Sequence, residues 1–182
     1  MSDVDRFEAF LRAHQDMVYA TAVRLLGRSS DAEDIAQTTF LRAWERFGAL
    51  RDNPAAGGWL KTVVTNLALN HLSRHRSRWR LFSELSTAGA DSHDPQEFGD
   101  TLAARPSADP IAEADRRAEL EQALRALPPH QRVPIVLFHF DENSYEEIAA
   151  RLRVSVGKIK TDIHRGRLAL KAFIGTPDGT AR

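Results

Sequence analysis

A basic helix near the C-terminus carries the clearest chemical signal in the sequence. Ser144 and Glu147 have capping-box spacing and open a short amphipathic run, and after a turn at Val154 a second run begins at Ser155. The apolar side of the second run holds Val156, Ile159, Ile163 and Leu168. Its other side holds Lys158, Lys160, Thr161, His164, Arg165 and Arg167. A short turn between two amphipathic helices, the second of them basic, is the helix-turn-helix layout, in which the second helix enters the DNA major groove. A plain helical hairpin with a solvated basic face is the alternative.

A second polar surface is predicted on a helix that starts near Trp59. Thr62, Asn66 and Asn70 follow Trp59 at helical spacing, and cations lie nearby at Lys61 and along the run Arg74 to Arg80. Asn is a poor residue for a helix interior, so two of them on one face suggest a surface kept for binding. An aromatic ring, amides and cations together suit unstacked single-stranded DNA. The alternative is that Trp59 belongs to the core and the Asn side chains face water.

A third surface is predicted on the helix over residues 30–47. The face opposite its apolar stripe is polar except for Leu41. An apolar residue with a polar rim is typical of a helix–helix docking surface. An ordinary solvated face is the alternative.

The elements that position these surfaces follow from apolar periodicity of 3.6 residues, and strand signals are weak. In the N-terminal half we expect a helix over 5–26 with a break near His14–Asp16 and a stop at Gly27. A helix opened by a Ser30 and Glu33 capping box then runs to about Phe47. Residues 48–58 are predicted as a loop, and a third helix runs over 59–76 with Leu60, Val63, Val64, Leu67 and Leu72 buried.

In the C-terminal half, helical signals resume near Asp115. Pro128 and Pro129 should end one helix and start the next, and Pro134 should bend or fray that next helix. The predicted fold is all-α: two small helical domains, 5–80 and 115–173, joined by a flexible acidic linker over 81–114 and followed by a tail over 174–182. The C-terminal domain contains the helix-turn-helix.

Composition excludes several classes of protein. The formal net charge is +0, but basic stretches over 51–80 and 154–171 flank an acidic one over 81–117. Cysteine is absent, which excludes disulfides and thiolate chemistry. The acidic start and the lack of a long apolar run favour a cytoplasmic protein. No nucleophile–base pair or phosphate loop occurs, so we expect no catalysis, cofactor or metal; His71 and His75 have metal-compatible spacing but no telling third ligand.

Together these segments resemble the extracytoplasmic-function (ECF, group IV) sigma factors, the minimal two-domain initiation factors of bacterial RNA polymerase. Residues 31–44 resemble the family's polymerase-binding helix, and residues 59–72 resemble its promoter-melting helix. Residues 127–132 and 144–149 resemble its C-terminal DNA-binding domain. The resemblance covers about 5–80 and 115–172.

The resemblance implies a role for each surface. The surface on the helix over 30–47 would dock on core RNA polymerase, chiefly the β′ clamp helices with further contact to the β subunit, through Asp31, Asp34, Gln37, Thr38, Leu41, Arg42 and Glu45. The loop and third helix would hold the −10 element of promoter DNA as a single strand through Arg51, Asp52, Asn53, Trp59, Lys61, Thr62, Thr65, Asn66, Asn70 and Arg74. The C-terminal helix would read the −35 duplex through Ser155, Val156, Gly157, Lys158, Lys160, Thr161, His164, Arg165 and Arg167. The linker would thread toward the polymerase active-site channel, and an anti-sigma protein would be a further partner.

Two stretches depart from the family pattern. Glu142-Asn143 stands where Gly followed by Leu is usual, which puts the approach to Ser144 in question. Thr161-Asp162 stands where Ser-Arg is usual, so Asp162 would remove a cation from the recognition helix. Asp162 would then accept from a cytosine amino group or pair with Lys158 or Arg165. Two other functions remain as alternatives: a helix-turn-helix regulator that binds operators as a dimer, and a helical adaptor whose basic helix binds protein or an acidic ligand.

Overall fold

The computed structural model describes residues 2–74 and 110–175, except for the side chains of 110, 112 and 113. Contacts divide the chain into two compact units, Met1–Arg78 and Trp79–Arg182. Every regular element in the described residues is helical, so the predicted all-α class is confirmed. The linker predicted over 81–114 lies almost wholly outside the described residues, as does most of the tail. No helix within the described ranges is both long enough and apolar enough to span a membrane.

The first unit contains α1 (Asp3–Leu26), α2 (Ser29–Glu45), α3 (Phe47–Leu50) and α4 (Ala56–Arg74). Helices α1, α2 and α4 all pack against one another. Their shared core includes Val18 and Leu25 from α1 and Leu60 and Val64 from α4, each fully buried. This three-way packing fixes which faces of α2 and α4 remain open to a partner.

Helix α1 is continuous, so the predicted break near His14–Asp16 is wrong. No Gly or Pro interrupts this stretch, and the His14 ring packs edge-on against Phe10 with centroids 4.7 Å apart. The helix begins at a capping box between Ser2 and Asp5. It ends as predicted at Gly27, whose φ of 73° is left-handed and therefore suits glycine.

The boundaries of α2 and α4 differ from the prediction. Helix α2 follows Arg28 without a side-chain cap, because Ser30 already lies inside the helix, so the predicted capping box is wrong. It ends at Glu45 rather than Phe47, since Arg46 leaves the helical conformation at ψ 14°. That turn starts α3, whose Phe47 packs edge-on against Phe7 with centroids 5.1 Å apart. The predicted 48–58 loop therefore shrinks to the residues between α3 and α4.

The second unit contains α5 (Pro110–Ala126), α6 (Pro129–His139), α7 (Tyr145–Leu152) and α8 (Val156–Ile174). Helix α8 packs against each of the other three. The predicted boundary at Pro128-Pro129 is confirmed. The predicted fraying at Pro134 is wrong, because the N–H groups of Gln131 and Arg132 both donate to the Pro128 carbonyl at 3.0 Å and close the first turn of α6.

Candidate nucleic-acid interface

Local hydrogen bonds define the two helices of the C-terminal motif. The Ser144 Oγ accepts from the Glu147 N–H at 3.2 Å, while the Ser144 N–H donates to the Glu147 carboxylate at 2.8 Å. These bonds lower the pKa of Glu147, the Ser144 backbone N–H contributing most. The Ser155 Oγ accepts from the Lys158 N–H at 3.2 Å and caps α8 in the same way. The predicted helix–turn–helix is therefore present, with Arg153 left-handed in its turn at φ 56°.

The approach to α7 resolves the first departure from the family pattern. Glu142 adopts φ 54°, a left-handed conformation that glycine adopts most easily. Asn143 then donates from its amide to the Asp141 carbonyl at 3.1 Å and accepts from Arg151 at 2.9 Å. Because Arg151 lies in the last turn of α7, this bond ties the connection to the far end of the helix that it precedes.

One face of α8 packs on the unit and the other is open. The buried residues are Ile159, Asp162, Ile163, Gly166 and Leu170. The exposed residues predicted to face DNA are Ser155, Gly157, Lys160, Thr161 and His164. Val156, Lys158, Arg165 and Arg167 are half-buried. Leu168 is 55% exposed, so its predicted burial is wrong: it lies five residues after Ile163, off the stripe that Leu170 continues.

Asp162 lies on the buried face of α8, 5% exposed, and not on the basic face where the sequence suggested it. Its Oδ2 accepts from the Lys158 ammonium at 2.9 Å. Of the predicted alternatives, the structure shows the pairing with Lys158. Because the carboxylate is buried, Asp162 adds no negative charge to the exposed basic face of α8.

A stack of cations and rings supports the basic face of α8. The Lys160 ammonium lies 5.8 Å from the centroid of the Tyr145 ring, which stacks on Phe138 at 4.8 Å. The Arg167 guanidinium lies 5.5 Å from the other ring of this pair, Phe138. Arg167 also bonds to His139 through its Nε at 3.3 Å. Its guanidinium is thus engaged with Phe138 and His139 of α6, and its contact with DNA stays a prediction.

The polar face of α4 contains most of the residues predicted to hold single-stranded DNA. Thr62, Asn66, Asn70 and Arg74 are exposed, while Trp59 and Lys61 are half-buried. Thr65 is 1% exposed, so its prediction as a DNA contact is wrong. The reason is that α4 packs on both α1 and α2, which widens its buried arc to include Thr65 beside Val64 and Ala68.

The loop before α4 places three further predicted residues on the surface. Arg51 lies 3.4 Å from the Asp3 carboxylate and 3.2 Å from that of Asp52. The Asn53 side chain accepts from the Ala55 N–H at 2.9 Å, which helps to start α4. All three loop residues are exposed.

The outer face of α2 matches the predicted docking pattern. Leu41 is 64% exposed, and Asp34, Gln37, Arg42 and Glu45 around it are also exposed. Thr38 is half-buried and donates to the Asp34 carbonyl at 2.8 Å. Asp31 lies 3.9 Å from Arg28 and 3.7 Å from His71 of α4, which joins the base of this face to the neighbouring helix. The apolar area also continues to Trp44, 45% exposed, which packs edge-on against Phe7.

Sequence reasoning missed the roles of two residues near the start of α6. Arg132 is 4% exposed and donates to the Leu127 carbonyl at 2.9 Å, which satisfies the end of α5. Burial lowers the pKa of Arg132 to about 10. Burial also lowers the pKa of His130, against the opposing charge of Asp162. The only sequence signal for either role is the position of both residues directly after the Pro pair.

The comparisons with known proteins agree with this geometry. Residues 10–78 match the family Sigma-70 region 2, and residues 117–170 match the family Sigma-70, region 4. The ECF RNA polymerase sigma factor SigW of Bacillus subtilis is 33% identical, over 93% of this chain and 89% of its own length. The RNA polymerase sigma-E factor of Streptomyces coelicolor is 30% identical, over 100% of this chain and 93% of its own. This chain belongs to the ECF RNA polymerase sigma factors.

Two further similarities differ in extent. The ECF sigma factor SigE of Mycolicibacterium smegmatis is 34% identical over 92% of this chain, which spans 61% of that relative. A solved complex of the sigma factor RpoE with the anti-sigma factor NepR from Bartonella quintana aligns with 24% identity and a TM-score of 0.48, over 94% of this chain and 98% of that one.

As a member of this family, the chain is a DNA-binding, non-enzymatic specificity subunit that directs RNA polymerase to promoters. The two matched regions fall one in each compact unit. The α2 and α4 faces lie in the first region, and the α8 face lies in the second.

Proposed function

We propose that the sigma factor divides its work among three faces. The α2 face around Leu41 docks on the β′ clamp helices of core polymerase. The α4 face with Trp59, Asn66 and Asn70 holds the melted −10 strand, and the exposed row of α8 reads the −35 duplex. We also propose domain limits of 5–80 and 115–173, and a cytoplasmic location, because that is where the polymerase works.

The observation that carries the docking proposal is the exposure of Leu41. An apolar side chain left 64% in water, with charged and amide groups on all sides of it, has the arrangement of an interface centre and its rim. Burying such a leucine against a partner contributes about 1.5 kcal/mol. The neighbouring Trp44 adds a larger apolar area with a polar N–H group, the kind of residue that often anchors an interface.

The test is binding of the full chain to purified core RNA polymerase, followed by run-off transcription. DNA fragments selected by the assembled holoenzyme from a random-sequence pool serve as templates. We expect Leu41→Ala to weaken polymerase binding about tenfold, in line with the loss of one buried leucine. Leu168→Ala is the matched control, since Leu168 is a similarly exposed leucine outside the proposed faces. Failure of the wild-type chain to bind core polymerase would refute the proposal.

An anti-sigma partner stays a prediction. We propose that such a protein covers the Leu41 face. Since this face is the one proposed to dock on core polymerase, a protein bound there would exclude the polymerase. Affinity capture with the wild-type chain from its own cells, repeated with Leu41→Ala, tests this. The captured protein must also compete with core polymerase for the chain, and a partner that leaves polymerase binding unchanged contradicts the proposal.

A further inference from the structure

An ion pair joins the half-buried Lys158 and the buried Asp162 of α8. The Lys158 ammonium lies 2.9 Å from Oδ2 of Asp162, one helical turn later. The Asp162 side chain belongs to the packed stripe of the helix together with Ile159 and Ile163. A carboxylate in that position needs a partner, because an isolated buried charge is strongly destabilising. The buried carboxylate therefore determines where the Lys158 ammonium lies.

Helix electrostatics alone do not explain this pair. Lys158 lies in the first turn of α8, where the positive end of the helix dipole disfavours a cation. Lys preceding Asp at a spacing of four is also the weaker orientation for a helical pair. The contact forms because the buried Asp162 carboxylate needs a partner. The packed carboxylate is therefore fixed in place, and the flexible Lys158 side chain moves to meet it.

The ion pair lies on the side of α8 that packs against α6. The charges of Asp162, Lys158 and Arg165 all act on the pKa of His130 in α6, although burial is the main cause of the lowered value. One turn beyond Asp162, Gly166 of α8 packs against Gln131 and Ile135, which both belong to α6. The carboxylate is thus set at the contact between α8 and α6, on the opposite side from Lys160, Thr161 and His164.

We propose that Asp162 is a positioning residue that withholds Lys158 from DNA phosphates. This rests on the proposed role of α8 as the helix that reads duplex DNA. Phosphate contacts add affinity without sequence information. Withholding one cation from the start of the recognition helix therefore lowers non-specific binding and leaves discrimination to the exposed row of α8.

The test is binding of the full chain to a fluorescent DNA duplex of mixed sequence, measured from about 50 to about 200 mM salt. We expect Asp162→Asn to free Lys158, to tighten binding severalfold at the lowest salt, and to steepen the salt slope by about one. Adding Lys158→Met to that variant should return the slope to the wild-type value. Lys158→Met alone should leave it unchanged, whereas the control Lys160→Met should lower it by about one.

Two results would overturn the inference. The first is a lower slope in Lys158→Met alone, which would mean that Lys158 already contacts a phosphate. The second is an unchanged slope in Asp162→Asn when its thermal unfolding midpoint stays near that of the wild type. Failure of the proposed function looks different: the wild-type chain then shows no salt-dependent binding, or Lys160→Met has no effect. Lys158→Met alone leaves the buried Asp162 carboxylate without this ammonium, so its unfolding midpoint is measured as well. The double variant, which removes both charges, should keep the wild-type salt slope, and a lower slope in it would also overturn the inference.

Discussion

Gly166 of α8 lies against Ile135 of α6 with no room for a side chain between them. A Cβ at position 166 would overlap the Cδ1 of Ile135 and would lie 3.2 Å from the Cβ of Gln131. Helices α6 and α8 are therefore in close contact at this glycine. Since α8 carries the proposed DNA-reading face, this contact sets the distance between that face and α6.

We expect Gly166→Ala to destabilise the C-terminal unit. The added methyl group must displace the buried Ile135 side chain, and we expect this overpacking to cost about 2–3 kcal/mol against roughly 1 kcal/mol gained in helix propensity. Gly157→Ala is the matched control, because a Cβ there meets nothing within 4 Å, and it should stabilise the same helix. Urea unfolding of both variants checks this. Equal stabilisation by the two alanines would show that the close approach has no cost.

Glu142 offers a stabilising substitution. Its left-handed φ of 54° costs a residue with a side chain about 1–2 kcal/mol, a penalty that glycine avoids. We expect Glu142→Gly to raise the free energy of unfolding by about 0.5–1 kcal/mol, after subtracting the greater freedom of glycine in the unfolded chain. Gly27→Ala, at φ 73°, is the reverse experiment and should be destabilising. A lower unfolding midpoint for Glu142→Gly would contradict this account.

Several local signals in the sequence predicted the fold correctly, although the Ser30 and Glu33 spacing did not. Ser144, Glu147 and Ser155 cap the helices that their spacing predicts, and Gly27 ends α1 as expected. The Pro pair likewise sets the start of α6. Such signals depend on a few neighbouring residues, so one sequence is enough to detect them.

Three errors at the candidate sites depended on which helices pack together. Thr65 is buried because α4 contacts two helices instead of one, and its sequence neighbours give no sign of that. Asp162 looked like a surface charge because carboxylates seldom enter a core. Arg132 was missed since its role requires the end of α5 to meet the first turn of α6. Packing between distant segments decides each of these cases.

Arg132 should be more important for stability than its charge suggests. Its guanidinium satisfies carbonyls at the end of α5 from a site that is 4% exposed, with contacts to Leu127 at 2.9 Å and to Arg125 at 3.5 Å. We expect Arg132→Met to destabilise the unit by about 1–3 kcal/mol, because it leaves buried acceptors unsatisfied. Arg125→Met is the control, since that side chain is exposed. Equal effects of the two substitutions in thermal unfolding would rule out the capping role.

His130 should make the stability of the C-terminal unit depend on pH. Burial lowers its pKa below the ordinary value of 6.5, so the unfolded chain takes up the proton first as the pH falls. Stability therefore decreases from about pH 6.5 downward until the folded-state pKa is reached. Glu147 acts in a separate window: its lowered pKa contributes stability that is lost only below its ordinary value of 4.5.

Unfolding midpoints measured between pH 7 and pH 5 distinguish the two groups. We expect His130→Gln to flatten the decrease in that range, and Glu147→Gln to leave its slope unchanged. A wild-type profile that is flat between these pH values, or a decrease that persists in His130→Gln, would show that the imidazole is not its source.

The α4 face should act in promoter opening more than in the first binding step. Trp59 and Asn66 lie on the side of α4 that would meet unstacked bases, and base–aromatic stacking contributes about 1–3 kcal/mol. We expect Trp59→Ala and Asn66→Ala to slow strand opening about tenfold while closed-complex affinity changes little.

Thr62→Val and Thr65→Val form a matched pair of control variants on the same helix. The exposed Thr62 should affect opening, whereas the 1% exposed Thr65 should affect only the stability of the unit. Permanganate reactivity of unpaired thymines in the holoenzyme complex reports opening, and filter binding on unmelted duplex reports the first step. Equal losses in both steps would remove α4 from melting and assign it to duplex binding.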